Sequence, residues 1–317
     1  MPRTMLIAIG GNALIQAGEP ATAAAERAHV SSTCRAIADL IADGWRVILT
    51  HGNGPQVGAA LLRSERASAD AYPLPLDLCV ASTQGEVGVL LQQALETHLR
   101  ARGLERSIAT VVTQVVVDGG DRAFARPTKP IGQFYSAEAI AARRDRGWTI
   151  VEEPPHGWRR VVPSPEPLRV VEEPAIRALV DANVIVITLG GGGVPVVQGS
   201  RGLAGVEAVV DKDLASSLLA TRLRLDRFVL ATDVEGIYLD FATPRARRLD
   251  EVTSDDLRRY AALGQFPAGT MGPKVEAALR FVEAGGSDAI VTSYDRLNLA
   301  LQGRAGTRVL AAAHAAP

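Results

Sequence analysis

The 317-residue sequence is 47% apolar and 22% charged with a formal net charge of −1, the composition of a globular chain that can bury its own core without a disulfide or metal staple. With no clustered basic excess, it lacks the electrostatic footprint of a nucleic-acid binder, and no such partner is expected. Cys34 and Cys79 lie in separate apolar, helix-like stretches without metal-ligand spacing, so a reduced, cytoplasmic setting is expected.

In chain order, the first apolar run, Met5 to Ile9, is broken by Gly10-Gly11-Asn12 and is too short for a signal peptide or a membrane span. No later run approaches spanning length, so no membrane partner is expected. A helical period follows over Ala21 to Ala42, then a strand over Arg46 to Thr50, a helix over Leu78 to Arg102 and a strand over Ser107 to Val117. From about 118 to 167 the chain turns rich in Pro, Arg and Gly, which reads as a small inserted lid subdomain. The alternation then resumes: helix Glu173 to Asp181, strand Val184 to Leu189, helix Asp213 to Leu223 and strand Arg227 to Thr232. Helices Ser254 to Leu263 and Pro273 to Ala284 and strands Ala289 to Thr292 and Thr307 to Leu310 complete it. Short β-branched runs alternating with crossover-length helices predict a mostly parallel sheet covered by helices, an α/β fold.

In such sheets ligands bind beyond the carboxyl ends of the strands. Four glycine-rich segments are placed to serve there: Gly10-Gly11-Asn12, His51-Gly52-Asn53-Gly54-Pro55, Gly190 to Gly193, and Gly269-Thr270-Met271-Gly272-Pro273. One such loop can be a structural turn; four offer a phosphate chain and an acceptor separate sets of backbone donors. The spacing of Gly52, Gly54 and Gly58 is one residue too long for a dinucleotide fingerprint, and the P-loop and protein-kinase signatures are absent. His51, ending an apolar strand, reads as structural.

Of 34 basic residues only Lys129, Lys212 and Lys274 are lysine. A chain that uses arginine for solvated charge keeps lysine where a compact, mobile ammonium is needed. Lys129 is framed by Pro127 and Pro130, Lys212 lies between Asp211 and Asp213, and Lys274 follows Pro273 at an expected helix start. A cation there opposes the helix dipole unless an anion binds. Phosphoryl transfer asks for such a set, aligned positive charge around the moving group. A carboxylate among the ammonium groups would hold them protonated; Asp213 is the first choice, and Asp211, which also reads as a helix N-cap, the second.

These residues and their surroundings resemble the carbamate kinases within the amino acid kinase superfamily. The resemblance runs nearly end to end, through Gly10 to Leu14, His51 to Gly58, Val111 to Val115, Pro127 to Gly132, Arg160 to Pro165, Gly190 to Pro195, Gly205 to Ala215 and Pro273 to Ala277. Ala8 stands where amino acid kinases usually carry a lysine ahead of the two glycines, and Lys212 looks like its replacement, as in the carbamate branch.

The resemblance implies a three-layer α/β/α sandwich around an eight-stranded sheet, with an acceptor-binding lobe over residues 1–215, lid included, and a nucleotide-binding lobe over 216–317. It implies reversible transfer between ATP and carbamate, with Mg2+ held mainly by the nucleotide phosphates, in a homodimer. By the same resemblance Lys212 and Lys274 flank the phosphoryl group, Asp213 organises them and Lys129 reaches in from the lid. Gly10, Gly11, Asn12, Gly52 and Asn53 would contact the acceptor; Gly191, Gly192, Asp233, Tyr238, Met271 and Pro273 would contact ATP or ADP. Departures at Val89, Gly120, Arg122 and Glu153 to Trp158 bear on lid and acceptor. A kinase for another small carboxylate, or a nucleotide-binding regulator without turnover, are the alternatives.

Overall fold

The computed structural model describes residues 3–11, 14, 22–144, 147–267 and 269–312. The chain begins with β1 (Thr4–Ile9), α1 (Ala23–Ala42), β2 (Arg46–His51), α2 (Gly54–Arg66), α3 (Leu76–Arg100), β3 (Ile108–Thr110) and β4 (Gln114–Val116). Residues 118–167 carry α4 (Arg122–Ala125), β5 (Lys129–Tyr135), α5 (Ala137–Arg144), β6 (Thr149–Glu153) and β7 (Gly157–Val162). Next come β8 (Arg169–Val170), α6 (Glu173–Asp181), β9 (Ile185–Thr188), β10 (Val194–Gly199), β11 (Gly202–Gly205) and α7 (Lys212–Arg222). Then follow β12 (Arg227–Thr232), β13 (Tyr238–Leu239), β14 (Arg247–Arg248), β15 (Glu251–Thr253) and α8 (Ser254–Ala262). The last described elements are α9 (Met271–Glu283), β16 (Asp288–Ser293), α10 (Leu297–Leu301) and β17 (Thr307–Leu310).

The expected eight-stranded sheet is present, in the order β15-β17-β16-β12-β1-β2-β9-β3. Its ladders are parallel except β16–β17. The central strands are buried on both faces, which is why they read as continuous apolar runs. Successive residues serve opposite cores, as a period of two requires. Met5, Ile7 and Ile9 of β1 pack with Ile37 of α1 and Leu91 of α3. Leu6 and Ala8 pack with Leu219 of α7 and Leu279 of α9. The helices thus form two layers around the sheet, and the edge-on contact of Phe228 with Phe281, 5.7 Å between centroids, joins β12 to α9.

The expected strand Ser107 to Val117 is corrected: β3 joins the main sheet, while β4 joins a second sheet, β11-β10-β4-β8. The chain leaves the first ladder because Gln84 of α3 takes over the backbone of Thr113. Its Oε1 accepts from Thr113 N at 2.8 Å and its Nε2 donates to Thr113 O at 3.0 Å. Helix α2 was not anticipated, since Gly54 and Gly58 depress its propensity. Gly58 is required by packing: a Cβ there would meet Gly132 Cα of β5 at 2.9 Å. This backbone contact seats the three-stranded sheet β5-β7-β6 of residues 118–167 against α2.

Candidate active site

The carboxyl ends of β1, β2, β12 and β16, with the loop after β9, open into one cleft of about 530 Å³. Lys129, Lys212, Asp213 and Lys274 all line it. Two helices aim at it from the same layer: α7 begins at Lys212, and α9 brings Lys274 in its first turn. Their relative placement is fixed by the buried hydroxyl of Ser217, which donates to Ala277 O at 2.8 Å. Ser216, also buried, shares a 2.7 Å hydrogen bond with Thr50 of β2 and anchors α7 to the sheet. Sequence reasoning gave neither serine a role; only the packing of three elements reveals them.

Asp213 is the hub. Its Oδ1 accepts from Lys212 Nζ at 2.5 Å and its Oδ2 from Lys274 Nζ at 2.9 Å, so one carboxylate fixes the spacing of two ammonium groups. Burial would raise the Asp213 carboxyl, but the charges and hydrogen bonds of Lys212 and Lys274 hold it well below the usual carboxylate range. Burial and the charge of Lys274 pull Lys212 below its ordinary value, against the opposing charge of Asp213. For Lys274 the burial effect is outweighed by Asp213, with Asp211 and Asp233 adding to it, and the group is raised. The two ammonium groups are therefore unequal, Lys212 being the easier to deprotonate.

Lys129 bonds not to Asp213 but to Asp211, 2.8 Å from Nζ to Oδ2. Asp211 serves both of the roles weighed from the sequence: its Oδ1 caps α7, accepting from Asp213 N at 2.9 Å and Leu214 N at 3.3 Å. One carboxylate therefore does not hold all three lysines. With Arg159 counted beside the three ammonium groups, four cations face the carboxylates of Asp211, Asp213 and Asp233 among the described lining residues, an excess of positive charge suited to an anion. Pro273 is the third residue of α9, not the first; it remains in the turn whose N–H groups have no partner within the helix.

Gly10, Gly11, Gly52 and Asn53 line one end of the cleft. Asn12 lies outside the described residues. Asn53 is buried and donates to Thr83 Oγ1 at 2.8 Å. Gly191 lies against it with φ 66°, and a Cβ there would come within 2.2 Å of its amide. Gly191 reaches the cleft wall; Gly192 does not, standing behind it against the backbone of Val210. At the other end Asp233, Tyr238, Met271 and Pro273 line the wall beside Phe241 and Phe266. Their aromatic and thioether surfaces offer an apolar slot for a planar base. His51 sits beneath the Gly190 loop, 1% exposed, with Nδ1 2.9 Å from Gly52 O. Burial pushes it down to about 4, with the charge of Lys212 acting the same way, so it is neutral and structural at neutral pH.

Among the described residues no group of three or more His, Cys, Asp or Glu side chains gathers as a metal cage, and no helix is long and apolar enough to cross a membrane. The profile of the amino acid kinase family matches residues 3–293. The carbamate kinase of Thermococcus kodakarensis is 47% identical over 313 residues, covering 97% of this chain and 99% of its own. That of Pyrococcus furiosus is 46% identical over 98% of this chain and 100% of its own. The structure of carbamate kinase from Giardia lamblia bound to AMP-PNP superposes with a TM-score of 0.92 at 40% identity, covering 98% of each chain. The chain thus belongs to the amino acid kinase family and, within it, to the carbamate kinases.

Proposed function

We propose that this chain, a carbamate kinase by family, transfers a phosphoryl group between carbamoyl phosphate and ADP through Lys212, Lys274 and Lys129, organised by Asp213 and Asp211. The observation that carries the reading is the pair of ammonium groups locked on one buried carboxylate at the cleft floor. In the ATP-forming direction a terminal oxygen of ADP attacks phosphorus, the bond from phosphorus to the carbamoyl oxygen breaks, and its electron pair leaves with carbamate. The chain contributes alignment and positive charge around the equatorial and leaving oxygens. Gly10, Gly11 and Gly52 would hold the acceptor, and Asp233, Tyr238, Met271 and Pro273 the nucleotide. Mg2+ would enter with the nucleotide, neutralising phosphate charge, with the described residues supplying no cage of their own. We place the enzyme in the cytoplasm, as a homodimer.

The deciding experiment supplies ADP, Mg2+ and carbamoyl phosphate and follows ATP. ATP formation supports the reading. Formation only with acetyl phosphate would indicate another small carboxylate, and ADP binding without any product would indicate a regulator.

A further inference from the structure

Among the described residues, four cationic side chains line the cleft: Lys129, Arg159, Lys212 and Lys274. The three lysines are each bonded to a carboxylate within the wall. Arg159 is not. Among the described residues its Nε donates to Gly132 O at 3.1 Å and its guanidinium stacks over Phe134, 5.1 Å to the ring centroid. No carboxylate of a described residue lies within 4 Å of it, whereas Arg160, next in the chain, is bonded to Glu207. The contacts that Arg159 makes orient its fork, and among the described residues neither terminal nitrogen has an acceptor. A guanidinium held in place by stacking and by its Nε presents two parallel donors, the geometry that matches two oxygens of a phosphate or carboxylate.

Its location says which ligand. β5 and β7 pair antiparallel with Lys129 opposite Val162 and Ile131 opposite Arg160, so Arg159 falls beside Gly132, three rungs from Lys129. That is about 10 Å of strand and an odd number of rungs, so the two side chains leave the lid sheet on opposite faces, and yet both reach the wall of the one cleft. Gly132 is the residue whose Cα abuts Gly58 of α2, and α2 starts at Gly54, directly after Gly52 and Asn53. Arg159 is therefore anchored on the Gly52 side of the cleft, whereas Tyr238 and Met271 belong to elements of the opposite half.

We infer that Arg159 is the anion-capturing residue for the small acyl phosphate, binding two of its phosphoryl oxygens in the ground state while the Asp213 lysines act on the moving group. This rests on the proposed reaction for the identity of the ligand, though not for its chemistry. An interaction made before the transition state and kept through it appears in KM, not in kcat.

The test has two arms, on Arg159→Gln and Arg159→Lys. In steady-state assays the Gln variant is expected to raise KM for carbamoyl phosphate about 10-fold or more, with KM for ADP and kcat each within about twofold of the parent. The Lys variant, which keeps the charge and loses the fork, should recover part of that loss. Calorimetric titration with inorganic phosphate reads the site without turnover: the parent is expected to bind and the Gln variant to bind about 10-fold more weakly. Equal phosphate affinity in parent and Gln variant, no phosphate binding by the parent, or a fall in kcat at unchanged KM would overturn the assignment and leave Arg159 as a brace of the lid sheet. A parent that binds phosphate through Arg159 yet makes no ATP would refute the proposed reaction and uphold the anion site.

Discussion

Replacing Asp213 with Asn keeps the shape and one acceptor but removes the charge that Lys212 and Lys274 share. The Asp213 side chain is 6% exposed, and those of the two lysines 12% and 15%. Breaking a buried ion pair from one side costs about 3–5 kcal/mol. The cleft admits water, and the lysines can shed a proton, so the lower end, about 3 kcal/mol, is expected. The sign of the pH dependence follows. With Asp213 gone, burial and mutual repulsion push Lys212 further down from a value already lowered, so the alkaline fall in kcat moves to lower pH. The stability deficit shrinks as pH rises, because neutral lysine no longer needs its anion. At neutral pH kcat should drop about 1,000-fold, since two aligned donors lose their spacing at once. KM for carbamoyl phosphate should not rise, because the cleft has become more positive. Coupled ATP assays between pH 6 and 10, with urea unfolding at each pH, measure both effects. A kcat within about threefold of the parent, or a raised KM at unchanged kcat, would refute the claim that Asp213 sets the geometry of the transferring lysines.

Lys212→Ala and Lys274→Ala should each lower kcat about 100-fold or more in the same assay. Lys129→Ala should weaken acceptor use at nearly unchanged ADP affinity. Its stability effect should be below about 1 kcal/mol, since the pair it loses is one-third exposed on the lysine side. His51, pushed down to about 4 by burial, is protonated more readily in the unfolded chain. It should therefore contribute about 3 kcal/mol to the loss of stability as pH falls from about 6.5 to 4. Urea midpoints of the parent and of His51→Gln over that range check this, the variant losing less on acidification.

The strands that carry the site were legible because each is buried on both faces: β1, β2, β9, β12 and β16 cannot avoid a continuous apolar run. The lysines were legible for a different reason, their rarity against arginine. What stayed hidden depends on contacts distant in sequence. Gln84 diverts the chain at Thr113 from 29 residues away, and Gly58 reads as a helix breaker until Gly132 is seen against it. Asp211 looked like a cap because that half of its role is local; its bond to Lys129 spans 82 residues. Arg159 is one arginine among many in the sequence, and what distinguishes it is its place in the cleft with no carboxylate of a described residue within 4 Å. Val89, named from the sequence as a departure bearing on lid and acceptor, is 46% exposed on α3, and nothing in the structure ties it to the acceptor.

The most direct measurement is a crystal structure of the chain with ADP, Mg2+ and aluminium fluoride, a mimic of the phosphoryl group in flight. The account predicts the fluoride group lodged at the floor of the cleft, with Lys212 and Lys274 Nζ within about 3 Å of its fluorines and both still tied to Asp213. A fluoride group bound elsewhere in the cleft, with those two lysines facing only Asp213, would contradict it.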